Sequence, residues 1–201
     1  MAVRKVLTIG KHEKVLRTPS QPVKKIDREI KTLMQDIVDT IEANPAVGLA
    51  APQIGVLKRV IGVRLAYEAD QEKEELHPPI ILINPEILEE SEEVENEFDA
   101  CLSIPGMLGY TDRKVKIKVR YLDESGKKVV REFTGWDARV IQHEIDHLNG
   151  RLFIDLIKDY KDLYVVVKDK DGNTQHIPYT QIIAEGEKKT ATKVVPVLPK
   201  A

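Results

Sequence analysis

Gln142-His143-Glu144-Ile145-Asp146-His147 is the stretch on which the reading of this chain turns. It lies in a segment predicted to be helical from about Asp137 to Leu148, closed by Asn149-Gly150, a pair suited to the left-handed conformation that follows a helix terminus. Residues four apart on a helix lie one turn above each other, so His143 and His147 can aim imidazole nitrogens at one ion. Glu144 sits about 100° around the axis. That offset lets it reach a water beside the ion without being a ligand itself, which is the placement of a general base. Two histidines at this spacing can also be plain surface residues of an amphipathic helix, and the intervening Glu argues for chemistry instead.

An ion held by two histidines needs a third protein ligand while leaving a position open for water. The extended protease signature His-Glu-x-x-His-x-x-Gly-x-x-His is satisfied through Gly150 and then fails, because its last position is Phe153. Glu185 and Glu187 are conceivable downstream ligands, but they stand in a polar tail with no helical pattern to aim them. Upstream stands Cys101, the one cysteine of the chain. As a thiolate it completes a Cys-His-His set, although a lone cysteine can equally be a small buried hydrophobe.

Working outward, Ile26, Ile30, Leu33, Met34, Ile37, Val38 and Ile41 fall on one helical stripe. They predict a helix from near Asp27 to Asn44, stopped by Pro45. Val115, Ile117, Val119 and Tyr121 alternate with Lys116, Lys118 and Arg120, the period of a strand with one wet face. Val129 to Phe133 supplies its partner across Glu124-Ser125-Gly126. Further strands are expected at Val60 to Leu65, Ile80 to Ile83, Leu163 to Val167 and Thr174 to Ile177, the last two forming a hairpin across Asp171-Gly172-Asn173. The fold class is therefore α+β, with mixed or antiparallel sheets packed around the His-Glu-x-x-His helix. The acidic stretches Glu68 to Glu75 and Glu89 to Glu97 read as solvated loops or faces.

The chain has 201 residues and 22.8 kDa, with no repeat or linker, so 1–201 is expected to be one domain. Its core spans about 6–160, followed by a strand-rich extension over 161–201 in which the tail after 186 is mobile and Val194 to Leu198 is a candidate edge strand. Lys and Arg number 31 against 33 Asp and Glu, a net charge of -2 that gives no general attraction for nucleic acid or anionic lipid. No apolar run approaches the roughly 18 residues that cross a bilayer. One cysteine and an N-terminus without a secretory signal point to a reducing, cytoplasmic setting.

Three separated motifs, Gly48-Leu49-Ala50-Ala51-Pro52-Gln53, Cys101-Leu102-Ser103 and Gln142 to His147, stand in the order and approximate spacing of peptide deformylases, and the chain resembles that family from about Val6 to Asp155. The resemblance implies hydrolytic release of formate from N-formyl-Met nascent peptides. It implies one divalent ion on Cys101, His143 and His147, ferrous iron first and Zn²⁺, Ni²⁺ or Co²⁺ as alternatives, with Glu144 as proton shuttle. It places the Gln53 amide and the Leu102 backbone N–H at the developing oxyanion, and Val47, Gly48 and Ala100 beside the peptide. As partners it implies nascent chains and transient contact with the ribosome, with no membrane and no sequence-specific nucleic acid. Asp99-Ala100 stands where the family usually has Glu-Gly: Asp keeps the charge with a shorter reach, and Ala adds a methyl. The extension resembles the family branch that ends in a strand.

Helix arithmetic adds a pocket. Trp136 and Val140 precede His143 by seven and three residues and share its face, so they are expected to wall a site for the methionine side chain, with Arg139 at the rim. Asp146, turned off that face, is expected to pair with an Arg such as Arg151 or to support a ligand. The competing readings are a zinc endopeptidase that shares the helix but not the cysteine, and a non-catalytic metal or redox sensor built on Cys101.

Overall fold

Asp27 accepts a hydrogen bond from the backbone N–H of Ile30 and starts a helix over Arg28–Glu42, at the first of the two positions where the sequence calls for one. The computed structural model describes residues 2–66, 78–168 and 172–188. In chain order the elements are α1 (Glu13–Leu16), α2 (Arg28–Glu42), β1 (Gly48–Ala50), β2 (Val60–Val63), β3 (Ile80–Glu90), β4 (Val94–Ala100), β5 (Met107–Lys114), β6 (Lys116–Leu122), β7 (Lys128–Thr134), α3 (Gly135–Leu148), β8 (Leu163–Lys168), β9 (Thr174–Pro178) and α4 (Tyr179–Lys188). Short 3₁₀ turns follow β1 and precede β8. Two sheets result, ordered β1-β2-β3-β6-β7 and β4-β5-β8-β9, and every strand pair in them is antiparallel.

The first sheet is covered on both faces because its strands alternate their apolar cargo. Leu49, Val60, Ile81 and Ile83 pack with Ile30, Leu33, Ile37 and Ile41 of α2. Ala50, Ile61, Val63, Leu82, Ile117 and Val119 pack with Ala138, Ile141, Ile145 and Leu148 of α3. Gly62 lets α2 approach, since a Cβ there would stand 2.6 Å from Ile37. Helix α3 contacts strands of both sheets and is buried almost all round, so its polar residues must find partners inside the protein. Gln142, for example, accepts from the Lys114 N–H at 3.0 Å and donates to the Lys114 carbonyl at 2.8 Å, closing the end of β5.

The expected elements within the described residues form, and the structure extends or corrects the reading around them. Of residues 89–97, only 91–93 are a loop: 89–90 end β3 and 94–97 begin β4, and their acidic side chains form the expected solvated face, with Glu89 paired with Lys118 at 2.9 Å. The strand expected to end at Ile83 runs to Glu90 through a bulge at Asn84-Pro85, where Asn84 takes φ 52° and its side chain bonds both N–H and carbonyl of Val23. β5 was not foreseen. The C-terminal extension is not strands alone, because α4 follows β9 and continues past Gly186 to Lys188. The acidic run Glu68 to Glu75 and the candidate strand Val194 to Leu198 lie outside the described residues. No helix among the described residues is long and apolar enough to cross a membrane.

Candidate metal centre

The two histidines come from α3, and the thiol comes from the turn that leaves β4, the edge strand of the second sheet. Their ligand atoms, one from each of Cys101, His143 and His147, lie within 4.8 Å of one another, and Cys101 Sγ is 3.2 Å from His147 Nε2. Asp99 Oδ1 stands 2.7 Å from His143 Nδ1. The carboxylate favours a proton on Nδ1, which leaves Nε2 as the nitrogen that would serve as ligand when an ion is bound. One soft thiolate and two imidazoles whose ligand atoms gather within 4.8 Å fit a divalent transition ion.

The charges around the cluster are set by burial and by a short ion network. Burial opposes a charge on Asp99, but His143 and Arg113 outweigh it and hold its carboxyl well below the ordinary range. For His143 burial again opposes charge, and Asp99 prevails, raising its pKa well above the usual imidazole value. His147 is pushed well below that value by burial and by its neighbour His143. Arg113 is one residue that the sequence reading missed. Its Nε donates to Asp99 Oδ2 at 2.8 Å and its Nη1 to Asp146 Oδ2 at 2.9 Å, whereas the expected partner Arg151 is 54% exposed and stands 3.7 Å from Asp146.

Glu144 is buried, and burial pushes its carboxyl up to about 7 despite the opposing pull of His143. Its Oε2 has no hydrogen-bond partner among the described residues. A Cβ at 48 would collide with the Glu144 side chain, meeting its Oε1 and standing 2.9 Å from its Cγ and Cδ, so this carboxyl alone asks for glycine there. Gln53 is 2% exposed. Its Oε1 accepts from the Ala50 N–H at 2.7 Å, which turns Nε2 toward Cys101 Sγ at 3.4 Å and Ser103 Oγ at 3.2 Å.

These groups open on a cavity of about 410 Å³ whose lining includes Val47, Gly48, Gln53, Leu102, Trp136 and Val140. Trp136, 39% exposed, is no core residue: it tilts against Phe98 with ring centroids 5.6 Å apart at the cavity wall. Ala100 also lines the cavity and keeps a negative φ, so its methyl imposes no left-handed strain. Arg139 lines it too, but not as a rim residue. It is 3% exposed, and its guanidinium is turned into the protein, onto β4 and β5.

An α+β chain with a buried carboxylate beside a thiol and imidazole cluster has the constitution of a metal-dependent hydrolase. The profile of the polypeptide deformylase family matches residues 3–163. A peptide deformylase of Thermoanaerobacter pseudethanolicus is 48% identical over 158 residues, 77% of this chain and 89% of that one. The crystal structure of peptide deformylase from Ehrlichia chaffeensis in complex with actinonin superposes with a TM-score of 0.72 at 32% identity, covering 95% of this chain and all of the other. The Met-Ala-Ser-bound class I type b peptide deformylase of Acinetobacter baumannii gives 0.70 at 34% identity, over 78% and 99%. The chain belongs to the polypeptide deformylase family.

Proposed function

We propose that the chain removes the formyl group from the N-terminal formyl-methionine of newly made peptides, with Cys101, His143 and His147 holding one divalent ion. The observation that carries the reading is the convergence of a thiol from β4's exit and two imidazoles from α3 beside the buried carboxyl of Glu144. When bound, the ion supplies Lewis acidity, lowering the pKa of water and withdrawing electrons from a carbonyl. Ferrous iron is the proposed ion by likeness to the family, and Zn²⁺, Ni²⁺ and Co²⁺ suit the same donors. The proposed setting is the reducing cytoplasm, where nascent chains are available and a lone thiol stays reduced.

Glu144 takes the proton of the attacking water onto its carboxylate and passes it to the amine that departs; the new C–O bond forms on the formyl carbon, the C–N bond breaks and formate leaves. Burial raises the Glu144 carboxyl above the ordinary range, which suits a group that must return the proton it takes. Gln53 Nε2, fixed by the Ala50 bond, donates to the oxygen on which charge develops, joined by the Leu102 N–H. Trp136, Val140 and Val47 wall the methionine side chain, and Gly48 and Ala100 flank the peptide backbone.

The test is anaerobic formate release from formyl-Met-Ala-Ser. Wild-type chain is expected to turn over, Cys101→Ala to lose both ion and activity, and Glu144→Ala to keep the ion without turnover. An active Cys101→Ala that cleaves internal peptide bonds would favour an endopeptidase instead.

A further inference from the structure

Strand β4 is poorly anchored by apolar contact. It is an edge strand, and from Val94 to Ala100 only Asp99 is buried. Yet the chain leaves it directly into Cys101, which must meet two histidines on a different element. Apart from the ring contact of Phe98 with Trp136, what docks this strand on α3 is polar. Arg139, on α3, donates from Nη2 to the Glu95 carbonyl at 2.8 Å and the Thr111 carbonyl at 3.0 Å. Its Nη1 reaches the Glu97 carbonyl at 3.2 Å and Thr111 Oγ1 at 3.1 Å. Thr111 Oγ1 in turn donates to Asp99 Oδ2 at 2.9 Å, and the other oxygen of Asp99 meets His143. Thr111 is fully buried and Arg139 nearly so.

We infer that Arg139 is a positioning residue of the metal site: a clasp that holds the β4–β5 hairpin on α3, and through Thr111 and Asp99 fixes where Cys101 stands relative to His143. The inference rests on the proposed metal site and adds to it a determinant outside the three ligands. It also removes Arg139 from the substrate-binding group, because a guanidinium spent on three carbonyls and a hydroxyl has one N–H left for a peptide. Groups that orient ligands in this way commonly change metal affinity 10–100-fold.

The test is Co²⁺ titration of the metal-free full chain, read by the thiolate-to-cobalt absorption, for wild type, Arg139→Met, Thr111→Val and Thr111→Ser, with far-UV circular dichroism as the fold control. Arg139→Met is expected to bind Co²⁺ about 10–100-fold more weakly and to shift the cobalt spectrum. Thr111→Val keeps the volume but breaks the link, and is expected to weaken binding about tenfold, at the lower end of that range. Thr111→Ser restores the hydroxyl and is expected to bind as wild type does. If Arg139→Met does not fold, the Thr111 pair decides. Wild-type affinity and spectrum in Thr111→Val would overturn the inference, as would Arg139→Met with unchanged Co²⁺ binding and a raised KM. A wild-type chain that binds Co²⁺ without the thiolate band would instead remove the metal site, and the clasp with it.

Discussion

Gly48→Ala tests the packing of the general base against β1. The added Cβ would stand 2.9 Å from Cγ and Cδ of Glu144, and ordinary carbon contacts need about 3.5–4.0 Å, so something must yield by about 1 Å. β1 is the less able to move: it is held by its ladder with β2, and Leu49 and Ala50 are fully buried on opposite faces of the sheet. Glu144 therefore shifts. A misplacement of about 1 Å at a reacting group costs on the order of 10²-fold in rate, so kcat/KM for formyl-Met-Ala-Ser is expected to fall by about that factor. Overpacking costs about 1–3 kcal/mol, and in a chain of this size each kcal/mol lowers Tm by about 2–4 °C. The Glu144→Ala background removes the collision, so there Gly48→Ala is expected to leave Tm nearly unchanged, a coupling that a double-mutant cycle measures. Full activity and unchanged Tm in the single variant would refute this account of why position 48 is glycine.

Glu144→Ala is expected to lower kcat by about 10²–10⁴-fold with metal content unchanged, checked by formate release beside elemental analysis. Gln53→Ala should cost about 2.7–4 kcal/mol of transition-state stabilisation, seen as a fall in kcat with little change in KM, if its amide meets the oxyanion. Trp136→Ala should raise KM chiefly for N-formyl-Met substrates; unchanged KM with lowered stability would make it a packing residue only. Ile37→Ala, at a fully buried position between α2 and the first sheet, should cost about 2–5 kcal/mol by denaturant unfolding without altering the kinetics of the folded fraction.

Helices α2 and α3 and the β6–β7 hairpin are legible because their apolar residues keep the period of the element that carries them. α2 puts Ile30, Leu33, Ile37 and Ile41 on one face, and β6 buries Ile117, Val119 and Tyr121 in alternation. β4 and β5 carry no such signal. The inward positions of β5 are Gly109, Thr111 and Arg113, so a periodicity built on hydrophobicity sees nothing there, and β4 is exposed on both faces up to Asp99. The same absence hid the ion network. Arg113 and Thr111 were silent because their alternation becomes visible only once the strand is known, although period-two spacing among Gly109, Thr111 and Arg113 was a usable cue. Arg139 is expected at the rim of the pocket walled by Trp136 and Val140; the position of its Cα beside them does not say where a long side chain ends. β3 continued past the expected stop because a bulge absorbs Asn84-Pro85, a pair that ordinarily ends a strand.

The central claim, that Cys101, His143 and His147 share one ion, is tested most directly by metal-edge X-ray absorption on the zinc-loaded chain. The account predicts one sulfur scatterer near 2.3 Å together with nitrogen or oxygen scatterers at about 2.0–2.1 Å, and loss of the sulfur shell in Cys101→Ser. A tightly bound ion with no sulfur neighbour in the wild-type chain would contradict it.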